Sequence, residues 1–187
     1  MSLLLIAALL LQSGDPPANA PAGRSGLEAG VAFLHLDAAL GAEDGLIQGV
    51  EAAFVMTKPM PEYSIGLRAY YRRWDVTFEQ FNQLPADLDG EVQQLGLNLV
   101  VTYPFAGPLT LGVELGGGVE RLEHDLDEET AAFFEGGAFL RLDLVAGLYV
   151  EAAGLAQGAL TEFGGQDSDS DHVSWVGRVN LGLELAF

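Results

Sequence analysis

Strict alternation of apolar with small or polar residues recurs in eight segments of this chain and constrains its fold more than any other feature. Leu109, Leu111, Val113, Leu115 and Val119 interleave with Thr110, Gly112, Glu114, Gly116, Gly118 and Glu120. A period of two is that of a β-strand, whose successive side chains point to opposite faces. The last eight residues repeat it, with Leu181, Leu183, Leu185 and Phe187 on one face and Asn180, Gly182, Glu184 and Ala186 on the other. A bare apolar strand at the end of a soluble protein invites aggregation. A closed barrel in lipid has no such problem, because its last strand pairs with its first.

The remaining segments follow suit. Tyr63, Ile65, Leu67, Ala69 and Tyr71 oppose Ser64, Gly66, Arg68, Tyr70 and Arg72, and Leu95, Leu97, Leu99, Val101 and Tyr103 oppose Gln94, Gly96, Asn98, Val100 and Thr102. Val50, Ala52, Phe54 and Met56 face away from Glu51. Phe134, Ala138, Leu140 and Leu142 face away from Glu135 and Arg141, and Leu148, Val150 and Ala152 from Tyr149 and Glu151. The first segment, about Leu27–Leu40, is ambiguous: Leu27, Val31 and Phe33 want one face, and Leu34 and Leu36 want it too. A β-bulge would reconcile them.

One face is continuous in Leu, Val and Phe, while the other is Gly with isolated charges. A soluble sandwich hydrates its second face richly with Lys, Glu and Thr, and a soluble ligand-binding barrel reverses the two faces. Short connections (Thr57–Glu62, Pro104–Pro108, Leu144–Val145) alternate with longer ones (Gly41–Gly45, Arg73–Gly90, Arg121–Ala131, Leu160–Val173). Short turns on one side and longer loops on the other are a transmembrane-barrel arrangement. Tyr63, Tyr71, Tyr103, Phe105, Trp175 and Phe187 stand near strand ends, where aromatic girdles meet the membrane interfaces.

Composition agrees. Eight Lys and Arg face 27 Asp and Glu for a formal charge of −19, yet hydrophobic residues make up 49% of the 187. Apolar strands with charge gathered in loops explain both. Nucleic-acid binding is disfavoured without Lys and Arg patches. The absence of cysteine excludes a disulfide framework and thiol ligands. Residues 1–22 read as a secretory signal, an apolar run from Leu3 to Leu11 followed by Gly14, Pro16, Pro17 and small residues, although the usual basic start is missing. No apolar stretch is long enough for a helical span.

The final strand also carries a resemblance. Asn180, Gly182, Leu185 and Phe187 fall on the four positions of the C-terminal assembly signal of bacterial outer-membrane barrels: polar, Gly, hydrophobic and terminal aromatic. Leu185, Gly182 and Phe187 are read as assembly and lipid-contact residues, with Asn180 and Glu184 turned to the lumen. The chain therefore resembles the small outer-membrane barrels of the OmpA/OmpX-like kind. The expected fold is all-β: a signal peptide (1–22), then an eight-stranded antiparallel up-and-down transmembrane meander (23–187). The resemblance implies a bacterial outer-membrane location, a structural or surface-interaction role and no cofactor. The partners it implies are outer-membrane lipid, lipopolysaccharide and the barrel assembly machinery, with the barrel a monomer and not an enzyme.

Candidate chemistry lies in three places. An eight-stranded lumen is just filled by side chains, and the inward set gathers Glu51, Glu114, Glu135, Glu151 and Glu184 with Arg68, Arg72, Arg141 and Arg178. Such groups must pair or be hydrated, giving a structural lock or, since carboxylates outnumber guanidinia, a narrow cation-preferring channel for small solutes. Outer carboxylates (Glu123, Asp125, Asp127, Glu128, Glu129, with His124; and Asp167, Asp169, Asp171) form a solvated acidic rim or bridge divalent ions to lipopolysaccharide. An EF-hand is rejected, since His172 stands where Gly is needed and Arg178 where the bidentate Glu belongs. Finally, His172-x-Ser174 with Glu184 is similar to the residues of lipid A-modifying acyl hydrolases, but the flanking residues differ from that family and the chain shows no oxyanion-hole signature.

Overall fold

In the computed structural model the eight segments are strands β1 (Arg24–His35), β2 (Leu46–Pro59), β3 (Ser64–Phe78), β4 (Leu88–Ala106), β5 (Leu109–His124), β6 (Asp127–Asp143), β7 (Leu148–Ala159) and β8 (Val173–Ala186). The structure describes residues 23–35, 46–78, 88–124, 127–145, 147–159 and 173–186. The expected signal segment 1–22, the acidic run 160–172 and Phe187 lie outside them. Each strand pairs antiparallel with its neighbours in the chain, and β8 closes on β1. Closure leaves the sheet no edge, so its backbone donors and acceptors are met within the ladder.

Three tight connections and both strand termini share one end of the barrel. At the first, the Met60 amide donates to the Tyr63 carbonyl at 2.7 Å. The other two use left-handed glycines, Gly107 (φ 56°) and Gly147 (φ 82°). Gly147 is doubly constrained, since a Cβ there would sit 2.2 Å from the Glu184 carbonyl oxygen.

The faces divide sharply. Leu95, Leu115 and Leu185 are 61%, 65% and 63% exposed on the outside, while Asn98, Arg72 and Glu135 inside are fully buried. On β4 the apolar outer band runs from Leu95 to Tyr103, which at ~3.4 Å per residue and a tilt of roughly 40° is ~21 Å of height, near the ~25 Å of a bilayer-spanning band. Tyr63, Tyr103 and Phe105 are exposed at the turn end of this band.

Two expectations are corrected. Two connections at the far end are shorter than expected: β3 and β4 continue pairing to Phe78↔Leu88, and β5 and β6 to His124↔Asp127. The acidic run from Glu123 is thus largely a hairpin rather than a loop. The proposed bulge in β1 is absent among the described residues, where its register with β2 and β8 is unbroken from Arg24 to His35. Leu34 instead points into the lumen and is 1% exposed. The register does shift at Pro104/Ala106, between β4 and β5.

Leu34 is inside because the lumen is not polar throughout. Near the loop end it holds an apolar layer of Ala32, Leu34, Trp74, Val76, Val92, Leu122, Leu155 and Val176, with Ile47 packed against it. At that height the exterior of β3–β6 turns polar. Arg73, Gln93, Arg121 and Thr130 form one row across the four strands, and Asp75, Glu91, Glu123 and Glu128 form the next. On these four strands the wall that is apolar outside becomes, one step higher, charged outside and apolar inside.

Candidate functional site

Period-two alternation along β1–β8 turns one residue in two toward the axis, so charges far apart in sequence converge at mid-height. Three arginines hold the centre. Arg68 pairs with Glu151 (2.6 Å), Glu28 (3.1 Å) and Glu114 (3.7 Å). Arg72 grips Glu51 through Nε at 2.5 Å and Glu135 through Nη1 at 2.6 Å. Arg178 reaches Glu114 (2.6 Å), Glu151 (2.8 Å) and Glu51 (3.5 Å). Each carboxylate but Glu28 and Glu135 is shared between two arginines, so the pairs form one lattice linking β1, β2, β3, β5, β6, β7 and β8.

Amides and phenols complete it. Asn98 donates to Glu135 (2.6 Å) and Glu114 (3.1 Å), and Asn180 to Glu51 (2.6 Å). The Tyr149 hydroxyl donates to Glu28 at 2.5 Å. Arg72 lies over the Tyr70 ring at 4.0 Å and Arg68 over Phe139 at 5.5 Å, so aromatic faces support the guanidinium planes. Above the lattice, Gln94 and Gln157 both donate to Glu120, beneath the apolar layer.

The nine residues expected to form one lumen network divide in two. Glu51, Arg68, Arg72, Glu114, Glu135, Glu151 and Arg178 make the central lattice. Arg141 and Glu184 pair at 2.6 Å near the turn end, where Arg141 also holds Asp143 (2.7 Å) and Arg24 approaches Glu184 (3.3 Å). Tyr149 joins the groups, its ring under Arg141 at 3.7 Å and its hydroxyl on Glu28.

Sequence reasoning missed Glu28 and Gln157, and turned Gln94 and Glu120 inward without giving them a part in the network. Glu28 sits on the one strand whose register was ambiguous; parity with Gly26 and Gly30, both packed against β8, would have turned it inward. Gly182, taken as a lipid-contact residue, faces the lumen under Tyr149, whose ring atoms stand 2.1 Å from where a Cβ would be. Its parity with Asn180 and Glu184 requires this. Of the remaining assembly positions, Leu185 is outside and Asn180 is 1% exposed.

The other candidates do not assemble. Ser174 and Glu184 lie ten residues apart on the same strand β8, ~33 Å at the rise of a strand, so they cannot share a catalytic set. His172 lies outside the described residues. In the acidic hairpin, Arg121 pairs with Glu128 (2.7 Å) and Glu123 (3.1 Å). The side chains of His124, Asp127 and Glu129 are not among those described, nor are Asp125, Asp167, Asp169 and Asp171. Among the described residues, no three His, Asp or Glu side chains are arranged to hold a metal ion.

The fold has counterparts among solved structures. The chain is similar to Ail, the attachment invasion locus protein of Yersinia pestis, solved with the heparin analogue sucrose octasulfate (TM-score 0.57, 12% identity, 88% of this chain and 99% of that one). It is similar to Neisserial surface protein A (TM-score 0.55, 12% identity, 88% and 97%). It is also similar to the outer membrane protein OprG of Pseudomonas aeruginosa (TM-score 0.54, 12% identity, 90% and 98%). This is the outer-membrane barrel fold. No family model matches the chain, and no curated protein sequence matches it. The exposed apolar band and closed meander are those of an outer-membrane β-barrel; in such barrels the tight turns lie at the periplasmic end, and by that rule the acidic hairpin is the outer end.

Proposed function

We propose that this protein is a non-conducting outer-membrane barrel with a structural or surface-interaction role. The observation that carries this is the filled lumen. At mid-height Glu51, Arg68, Arg72, Asn98, Glu114, Glu135, Glu151, Arg178 and Asn180 are all no more than 3% exposed, so packed side chains and not an open channel occupy the lumen there. That favours a lock over an open cation path. Folded protein in planar bilayers should show no conductance steps, and steady steps in untreated protein would overturn the reading.

The outer end supplies the interaction surface. Ail is named for attachment and carries a polyanion analogue in its structure. Here Asp75, Glu91, Glu123 and Glu128 surround Arg73 and Arg121, each of which is committed to a neighbouring carboxylate. A polyanion is therefore the wrong ligand for this rim, and sucrose octasulfate should not bind it. Outer-membrane lipid and lipopolysaccharide remain the proposed surroundings of the apolar band, and the assembly machinery the proposed reader of Gly182, Leu185 and Phe187.

A further inference from the structure

We infer that the apolar layer at the outer end, and not the ion-pair lattice, is the permeability seal of this barrel. The inference rests on the non-conducting reading and says which layer makes it so. Side chains fill both layers, but the two differ in what they do with water. The lattice contains buried polar atoms with neither a hydrogen-bond nor an ion-pair partner among the described residues: Arg68 Nε, Arg178 Nη1, and both Asn98 and Asn180 Oδ1. Buried polar groups left this way draw in water. Long charged side chains that share partners can also swing to admit it.

Among the described residues the apolar layer has one such atom, the Trp74 indole nitrogen. Leu34, Trp74 and Leu155 are 0–1% exposed, and Val176 closes the ring from β8 at 1%. A constriction without polar groups excludes ions by remaining dry even where small gaps open. Its height fits a seal, because the exterior becomes charged there through Arg73 and Arg121. The dry layer thus stands at the boundary between outer leaflet and external water, and the polar column beneath it leads down through Glu28 and Tyr149 to Arg141 and Glu184 at the periplasmic mouth.

Charge in the column predicts what would pass once the seal is thinned. Glu28, Glu51, Glu114, Glu120, Glu135 and Glu151 face Arg68, Arg72 and Arg178, an excess of carboxylate that favours cations. In planar bilayers the unaltered barrel is silent; Trp74→Ala/Leu155→Ala gives steps with a cation-over-anion permeability ratio above one, whereas Glu114→Gln, which loosens only the lattice, stays silent. Heat-dependent gel mobility verifies that each variant is folded. Folded seal variants that remain silent, or a lattice variant that conducts, overturn the inference. Conductance in the unaltered barrel instead overturns the non-conducting reading. Should the double variant not fold, water-to-protein exchange by NMR in the unaltered barrel decides. Water reaching the Arg68 and Arg178 guanidinium protons but neither the Trp74 indole nor the Leu155 methyls supports the seal, and water at the Trp74 indole and the Leu155 methyls overturns it.

Discussion

Replacing Arg72 by Met tests whether the lattice stabilises this barrel. Arg72 is fully buried and holds Glu51 at 2.5 Å and Glu135 at 2.6 Å. Met fills much of its volume but leaves two carboxylates in the lumen with weaker support: Asn180 and a 3.5 Å approach from Arg178 for Glu51, and Asn98 for Glu135. Removing one partner of a buried pair costs about 3–5 kcal/mol, because the surviving charge is uncompensated. With a urea dependence of ~2 kcal/mol per molar, the unfolding midpoint should fall by roughly 2 M. Arg72→Met/Glu135→Met removes one stranded charge, and a well-packed apolar replacement of an ion pair is often neutral. The double variant should therefore recover much of the loss, retaining a deficit of ~1–2 kcal/mol from Glu51. Arg121→Ala is the control, since its pairs with Glu123 and Glu128 are about half exposed and such pairs contribute at most ~1 kcal/mol. The assay is urea unfolding in lipid vesicles, followed by gel mobility. A loss for Arg72→Met no greater than for Arg121→Ala, or a double variant no more stable than the single, would refute the reasoning.

Gly182→Ala should slow assembly and lower the folded fraction, because its Cβ would meet the Tyr149 ring at 2.1 Å beside the β8–β1 closure; pairing it with Tyr149→Ala should restore folding. Tyr149→Phe should cost about 1–3 kcal/mol by unfolding midpoint, since Glu28 loses a buried donor. Gly107→Val should lose about 1–2 kcal/mol from its left-handed φ of 56° alone, while Gly107→Asn, which tolerates that conformation, should behave nearly as the parent in the same assay. Deleting Phe187 should reduce the amount of heat-modifiable protein recovered from outer membranes, whereas a purified barrel refolded into detergent should be little affected.

The fold was legible because alternation is a local signal and the barrel keeps it without interruption. On β5 every residue from Leu109 to Glu120 lies on the face its parity assigns, since lipid outside and a packed lumen inside tolerate no slip. The charges were legible for the same reason: parity alone turned Glu51, Arg68 and Arg178 inward. Their partners were not, because partnership depends on the stagger between strands that meet across the lumen, as when Arg178 of β8 reaches Glu114 of β5. Loop lengths misled for another reason. Arg73, Asp75, Glu91, Glu123 and Glu128 look like loop residues because they are charged, yet they continue the paired strands β3–β6 beyond the apolar outer band.

Leu34 shows what that change of surroundings does to sequence reading. A rule of apolar out and polar in holds only while lipid lies outside. Once the strands pass the headgroups, water takes that side and the apolar residues move to the axis without any break in backbone register, as on β3, where Tyr71 faces out and Trp74 and Val76 face in. A reader holding to one rule must invent a bulge at Leu34, whereas the chain merely crosses a boundary. The same crossing gives the lumen an ion-pair lattice at mid-height and an apolar layer above it, and on β3–β6 the outward face turns from apolar to charged between Tyr71 and Val119 below and Arg73 and Arg121 above.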